Sequence, residues 1–254
     1  MNATAEKPVR DRVSEQEWNT RVDLAACYRL IAAHGWDDLI FTHVSARVPG
    51  PDEHFLINAY GMLFEEMTAS SLVKVDLQGN KVDDSHHPVN PAGFVIHSAI
   101  HEARPDVACI IHTHTTSGVA VSIQPEGLRP LSQTALFPYC SVGYHDYEGV
   151  ALLDDEKPRL VADLGDHSNL ILRNHGLLTA AGSIPDAFLQ IFVLEKACEI
   201  QIKAQTGNNL IEVDQRIQSG MLAQAKEVTK GLGGDLAWPA LLRKLDRMDS
   251  SFRN

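Results

Sequence analysis

The sequence predicts an α/β fold with a substantial core, and three observations support this. The chain has 254 residues, enough for one large domain or two small ones. Segments with helical periodicity alternate with short apolar runs that are typical of strands. Hydrophobic residues make up 44% of the chain and charged residues 22%, which excludes a disordered or fibrous protein.

The first half of the chain combines one long helix with short strands. Ser14 opens a Ser-x-x-Glu capping box, which predicts a helix from there to about Ala33. Residues 1–13, before this box, are polar and are expected to form a flexible leader. Strands are then predicted at 39–48, 54–59 and 72–76.

The second half alternates helices with two apolar strands. Asn90 and Pro91 resemble an N-cap and a first helical position, and the helix that they open is expected to end near Pro105. The remaining predicted elements are a strand at 107–115, a short helix from Ser117, a loop at 125–148, a strand at 169–176 and a long amphipathic helix at 184–205.

Both of these strands end in histidine. His112 and His114 are one residue apart, so in an extended backbone they project to the same face. The second strand ends at His175, and the carboxyl ends of strands in open α/β sheets are where ligand crevices form. Three imidazoles with one open position suit a catalytic zinc or a similar ion. The alternative is that these are core or loop histidines hydrogen-bonded to backbone carbonyls.

Two further pairs have helical i, i+4 spacing. His97 and His101 lack the glutamate of an HExxH zinc motif, because Ser98 follows the first histidine. We therefore expect them to pack against the sheet, with His97 close to the site. Glu195 and Glu199 are predicted to lie on a solvated or subunit-contacting helix face.

The charge and the cysteine content limit the classes of binding partner and the cellular compartment that we expect. The net charge is −11 and no dense run of Lys or Arg occurs, which argues against a nucleic-acid or membrane partner and favours a small molecule. Four dispersed cysteines without a CxxC motif indicate reduced core thiols. The polar N-terminus and the lack of a long apolar run predict a cytoplasmic protein.

Four segments resemble the class II aldolase/adducin superfamily, and most closely its branch with the adducin head domain and bacterial relatives. They are HFLINAYGMLFEEMTASSLVKVDLQGN (54–80), VIHSAIHEARPDVACIIHTHT (95–115), VGYHDYEG (142–149) and NLILRNHGLL (169–178). The resemblance implies a three-layer α/β/α sandwich with a mixed, largely antiparallel sheet over residues 14–215. Residues 216–254 would then be a helical extension that packs on this domain or on a neighbouring subunit. Family members form cyclic homotetramers, so the resemblance also implies a homo-oligomer.

The resemblance implies a metal and a reaction class. The family holds a divalent ion, usually zinc, with three histidines that correspond to His112, His114 and His175. As a Lewis acid, the ion stabilises an enediolate or enolate. We therefore expect a carbon–carbon lyase, of the aldolase or decarboxylase type, that acts on a small carbonyl or hydroxy-acid compound.

The chain departs from the sugar-phosphate aldolases at their acid and phosphate positions. The position of the family's acidic residue is Gly93, which can neither transfer a proton nor bind a metal. Pro91 and Ala92 stand where those enzymes have small hydroxyl residues, so a simple sugar phosphate is not expected. The candidate substrate-binding residues are His43, Tyr60, Gly61 and Gln133.

Several residues are candidates for the acid/base role that Gly93 cannot fill. His145 and Tyr144 are the catalytic candidates, with Asp146 and the pair His86 and His87 as further alternatives. Each could instead close a local hydrogen-bond network. A rival function is adducin-like binding or scaffolding. Because the chain lacks the long basic-ended tail of adducins, actin is not an expected partner.

Overall fold

The computed structural model describes residues 7–150, 154–207 and 209–254, and within these ranges one sheet of seven strands forms the centre. The strands are β1 His43–Arg47, β2 Phe55–Ile57, β3 Val73–Val75, β4 Cys109–Thr113, β5 Val142–His145, β6 Asn169–Leu172 and β7 Gly176–Ala181. They lie side by side in the order β3-β2-β1-β4-β7-β6-β5.

Helices cover both faces of this sheet. They are α1 Glu15–Ala33, α2 Pro91–Ala103, α3 Thr116–Ser122, α4 Gln133–Tyr139, α5 Lys157–Leu164, α6 Ile184–Ala204, α7 Gln215–Gln218, α8 Met221–Val228 and α9 Trp238–Met248. None of the helices in the described ranges has the length and apolarity needed to cross a membrane.

The directions of the strands bring the ends of four of them to one edge of the sheet. β5 pairs with β6 in parallel, and the other neighbouring strands pair antiparallel. Since β4 and β6 both run antiparallel to β7, which lies between them, their carboxyl ends meet at the same edge. The amino ends of β1 and β7 lie there too, and we call this the site edge. The predicted α/β sandwich with a mixed, largely antiparallel sheet is confirmed.

Burial on both faces explains the continuous apolar strands. The neighbouring β6 residues Leu170 and Ile171 are fully buried but belong to different clusters, on opposite faces of the sheet. Ile100 of α2 packs in the cluster with Leu170, and Leu24 of α1 packs in the other. A strand covered on both faces loses the alternation of apolar and polar residues that marks a half-exposed strand.

The sequence prediction holds for the long helices and fails in three places. The strand predicted at 39–48 begins only at His43, because residues 39 and 40 lie in a turn. α1 begins as predicted, with the Ser14 side chain accepting a hydrogen bond from the Glu17 amide at 3.1 Å. The loop predicted at 125–148 is wrong in part, because it contains α4 and β5. β6 ends at Leu172, so His175 lies in a turn and not in the strand. Of the predicted leader, residues 1–6 lie outside the described residues.

The C-terminal segment packs on α1 of the same chain. The Trp238 indole donates a hydrogen bond to Asp23 at 2.9 Å, and the Ala69 amide donates one to the Phe252 carbonyl at 2.9 Å. Trp238 and Phe252 are buried in the cluster that contains the α1 core residues. The boundaries at 14 and 215 stay a prediction.

Tyr28 ties the start of β1 to the end of β2. Its fully buried hydroxyl accepts the backbone amides of Val44 at 2.8 Å and Asn58 at 3.0 Å. These amides flank the site edge, because Val44 follows the first residue of β1 and Asn58 follows the last residue of β2. One hydroxyl from α1 therefore fixes two strand ends beside the histidines.

Replacing Tyr28 with Phe should destabilise the fold while preserving its shape. The change leaves two buried amides without an acceptor, which costs about 2 kcal/mol or more in the free energy of unfolding. Urea denaturation should show a lower midpoint with an unchanged slope. Tyr139→Phe, at an exposed position, is the matched control. Equal midpoints for the two variants would show that the Tyr28 hydroxyl adds nothing to stability.

Candidate metal centre

Three histidines converge at the site edge. His112 belongs to β4, His114 follows that strand, and His175 lies in the turn between β6 and β7. The Nε2 atom of His112 is 2.8 Å from Nε2 of His114 and 3.3 Å from Nε2 of His175. Their donor atoms all lie within 4.8 Å of one another, and the three residues could hold a metal ion.

Hydrogen bonds behind the rings fix two of the tautomers. Nδ1 of His112 donates to the Leu177 carbonyl at 2.9 Å, and Nδ1 of His114 lies 3.0 Å from the Asp38 carboxylate. With the proton held at Nδ1, each Nε2 presents its lone pair to the centre. Asp38 was missed by the sequence analysis, since nothing in its loop indicates a contact 76 residues away.

Burial favours the neutral form of His112 and His175. Removal from water lowers the pKa of His112 well below its ordinary value. Burial, followed by the neighbouring His114, lowers the pKa of His175 to about 4. The neutral imidazole is the form that binds metal.

The donor set fits a divalent ion. Tetrahedral coordination at about 2.1 Å separates two ligand nitrogens by about 3.4 Å. The distance between His112 and His175 is close to this value, and the distance between His112 and His114 is shorter. The lone pairs that face each other here repel unless a cation lies between them. Imidazole nitrogen is a preferred ligand of zinc and its neighbours in the transition series.

The turn that carries His175 is held from outside. The Arg173 guanidinium donates to the carbonyls of Gln124 at 2.6 Å and Pro125 at 3.3 Å, and it lies 4.3 Å from the centre of the Tyr144 ring. The Tyr144 hydroxyl accepts the Leu128 amide at 3.0 Å. Tyr144 therefore supports the turn through Arg173, and its predicted catalytic role is not favoured by these contacts.

Gly176 allows β7 to approach the end of β4. A Cβ atom at this position would lie 2.3 Å from the Thr113 carbonyl oxygen. Any other residue would push the two strands apart and would separate His175 from His112.

His145 points to the opposite face of β5 from Tyr144. Its Nδ1 lies 2.8 Å from Asp163 of α5, and its Nε2 lies 3.2 Å from Glu156. With both ring nitrogens next to carboxylates, this buried histidine is held as a structural group. Its catalytic role stays a prediction that the geometry does not favour.

His43 fills the space above Gly93. The His43 ring lies 5.0 Å from the His112 ring, across the pairing of β1 with β4. A Cβ atom added at Gly93 would lie 2.6 Å from Cδ2 of His43. The His43 imidazole thus occupies the space into which a side chain at position 93 would project. The side chains of Pro91 and Ala92 lie outside the described residues.

A buried polar chain extends from His43. Its Nδ1 lies 2.8 Å from Nε2 of His97, whose Nδ1 lies 2.6 Å from the Ser45 hydroxyl. That hydroxyl lies 2.8 Å from Nε2 of His101. Burial lowers the pKa of both His43 and His101 to about 3, so the chain is neutral. His97 and His101 pack against the sheet as predicted.

The other predicted binding residues are divided between two places. Tyr60 and Gly61 follow β2 at the site edge, and Gly61 has a φ of 101° that favours glycine. Gln133 begins α4 and lines a different groove, with Phe137 and Met221. Their binding roles stay predictions.

The prediction for Glu195 is wrong. This residue is 3% exposed and accepts hydrogen bonds from Thr113 and Thr115, on either side of His114. Glu199 does lie on the surface, where it pairs with Lys196. Spacing alone could not separate the two, because the helix turns Glu195 inward beneath the end of β4.

Known proteins match this chain over most of its length. A Pseudomonas aeruginosa protein named as a class 2 aldolase is 58% identical over 249 residues, which cover 96% of each chain. Alpha-adducin of Rattus norvegicus is 43% identical over 243 residues, which cover 90% of this chain and 33% of the adducin. The chain thus spans a third of the length of that adducin.

Solved structures and a family model agree with these relatives. An aldolase II superfamily protein from Pseudomonas syringae has a TM-score of 0.92 at 53% identity, covering 98% of this chain and 100% of its own. L-fuculose 1-phosphate aldolase from Glaciozyma antarctica has a TM-score of 0.82 at 30% identity, covering 94% and 93%. The family described as "Class II Aldolase and Adducin N-terminal domain" matches residues 22–202. The chain belongs to the class II aldolase and adducin family.

Proposed function

We propose that this protein is a divalent-metal-dependent carbon–carbon lyase, of the aldolase or decarboxylase type, that acts on a small carbonyl or hydroxy-acid compound. The observation that carries the proposal is the convergence of three imidazoles, from His112, His114 and His175, with hydrogen bonds behind the rings of His112 and His114. The donor set favours zinc. An ion bound there supplies Lewis-acid stabilisation of negative charge on a substrate oxygen.

The side chains around the centre favour decarboxylation over aldol cleavage initiated by a base. No side chain at position 93 can remove a proton, and His43 fills the volume that a carboxylate would need. When carbon dioxide leaves, the electron pair of the broken bond stays on the substrate carbon, so no base has to remove a proton first. We propose that His43, Tyr60 and Gly61 bind the substrate.

Exposed apolar side chains beside the centre support a homo-oligomer, which we propose to be a tetramer. Leu39, next to Asp38, is 63% exposed, and Phe41 is 50% exposed. Tyr147, whose ring lies 6.2 Å from that of His175, is 54% exposed. A neighbouring subunit that covers these residues would also close the site. The free thiols support a cytoplasmic location.

The similarity to alpha-adducin favours a second candidate function. A protein that shares 43% identity with an adducin segment could bind a protein partner without catalysis. Saturable co-sedimentation with filamentous actin, at physiological salt, would favour this second candidate. We expect no such binding.

The purified protein should contain zinc in a ratio of about one ion per chain. His112→Ala removes a central ligand and should lose the ion, as measured by elemental analysis after dialysis. His167→Ala, at an exposed position outside the triad, is the matched control and should retain it. Equal metal content in both variants would contradict the proposed centre.

Lyase activity should depend on the ion. We expect metal-stripped protein to be inactive on a panel of small β-keto acids, 2-hydroxy acids and hydroxy ketones, and zinc to restore activity. Carbon dioxide release and carbonyl product are the two readouts, and they separate decarboxylation from retro-aldol cleavage. Normal turnover by the stripped protein would contradict the proposal.

Gly93→Ala should destabilise the wild-type protein but stabilise a His43→Ala variant. In the wild-type background the new methyl group meets the His43 ring, and overpacking of this kind costs about 1–3 kcal/mol. In a His43→Ala background this contact is removed, and alanine should stabilise the helix by up to about 1 kcal/mol. Urea unfolding of the four proteins measures this coupling. Additive effects would show that the two residues do not interfere.

A further inference from the structure

Glu195 is a buried carboxyl group directly behind the metal centre. It lies on α6, is 3% exposed, and accepts hydrogen bonds from the hydroxyls of Thr113 at 2.6 Å and Thr115 at 2.5 Å. Thr113 donates to one oxygen of the Glu195 carboxyl group and Thr115 donates to the other.

The two threonines alternate with the metal-binding histidines. Along an extended backbone, Thr113 points away from the face that carries His112 and His114. Glu195 therefore holds the end of β4 from the side opposite to the metal centre. The Thr115 hydroxyl also accepts the Gly118 amide at 3.1 Å, which caps α3. One carboxylate thus fixes both the strand end and the helix that follows it.

This carboxylate is costly to bury. The adjacent Lys196 pairs with Glu199 at 2.8 Å, and the described residues provide Glu195 with two hydroxyl donors but no ion pair. Burial raises the pKa of Glu195 to about 7. A neutral residue would fill the same space at a lower cost in stability, so the carboxylate calls for a role beyond packing.

We propose that Glu195 is a positioning residue for the metal centre, acting through Thr113 and Thr115 on the backbone from which His112 and His114 project. The inference rests on the proposed function, because it assumes that these histidines bind an ion. Loss of the two hydrogen bonds leaves the strand end free to shift. The ring nitrogens of His112 and His114 are then no longer held close together before the ion binds.

Zinc affinity of the folded protein tests this role without any substrate. We expect Glu195→Ala and Thr113→Val to weaken zinc binding about 10- to 100-fold in chelator competition, the range found for groups that orient metal ligands. Thr113→Ser keeps the hydroxyl and should retain wild-type affinity. Glu199→Gln, one turn along α6 on the surface, is the matched control and should also bind normally.

Two further measurements separate positioning from general stability. The visible spectrum of the cobalt-loaded protein should change in Glu195→Ala and Thr113→Val, because the ligand geometry changes. Thermal unfolding of the metal-free proteins sets the temperature at which each variant is folded for the affinity measurement. If Glu195→Ala does not fold, Thr113→Val decides the question.

The possible results lead to different conclusions. Zinc affinity within threefold of wild type in folded Glu195→Ala or Thr113→Val, with an unchanged cobalt spectrum, would overturn the positioning role and leave the metal centre intact. A wild-type protein that binds no zinc would overturn the proposed metal centre, and this inference with it.

Discussion

The close pairing of β7 with both β4 and β6 is the constraint on which the candidate site depends. It makes β4 and β6 run in the same direction, and it brings the turn that carries His175 beside His112. The contact needs glycine at position 176, because a Cβ atom there would lie 2.3 Å from the Thr113 carbonyl. A property of backbone packing therefore determines whether candidate ligands 63 residues apart can meet.

Hydrogen bonds from several elements fix the orientation of the converging histidines. Asp38, the Leu177 carbonyl and Glu195 each hold a different part of the H-x-H segment. Arg173 anchors the turn of the third histidine to carbonyls on the far side. These groups lie on separate elements, so the orientation of the ligands depends on the complete tertiary fold and not on β4 alone.

The part of this arrangement that the sequence could predict is the part that depends on local periodicity. The alternation of a strand predicts that His112 and His114 share a face. The polar end of the second apolar strand indicates His175, and the family resemblance adds support for the set of three. Contacts between segments that are distant in the sequence leave no periodic pattern from which they could be predicted. The contacts of Asp38 with His114 and of Glu195 with Thr113 join a loop and a helix to the end of β4, about 80 residues away in the sequence. α4 and β5 were missed because short elements carry little periodicity.

His43 and Gly93 show why a departure from a family pattern is informative only in three dimensions. Taken singly, a glycine at the acid position indicates a lost catalytic group. In the structure the glycine and the histidine are sterically linked, because the ring occupies the space that a side chain at position 93 would need. The ring is in turn held by the buried chain through His97, Ser45 and His101. A single substitution of Gly93 by an acidic residue would place its side chain against the His43 ring, which these hydrogen bonds hold in place. The two positions therefore have to change together, which makes them a coupled feature of this site.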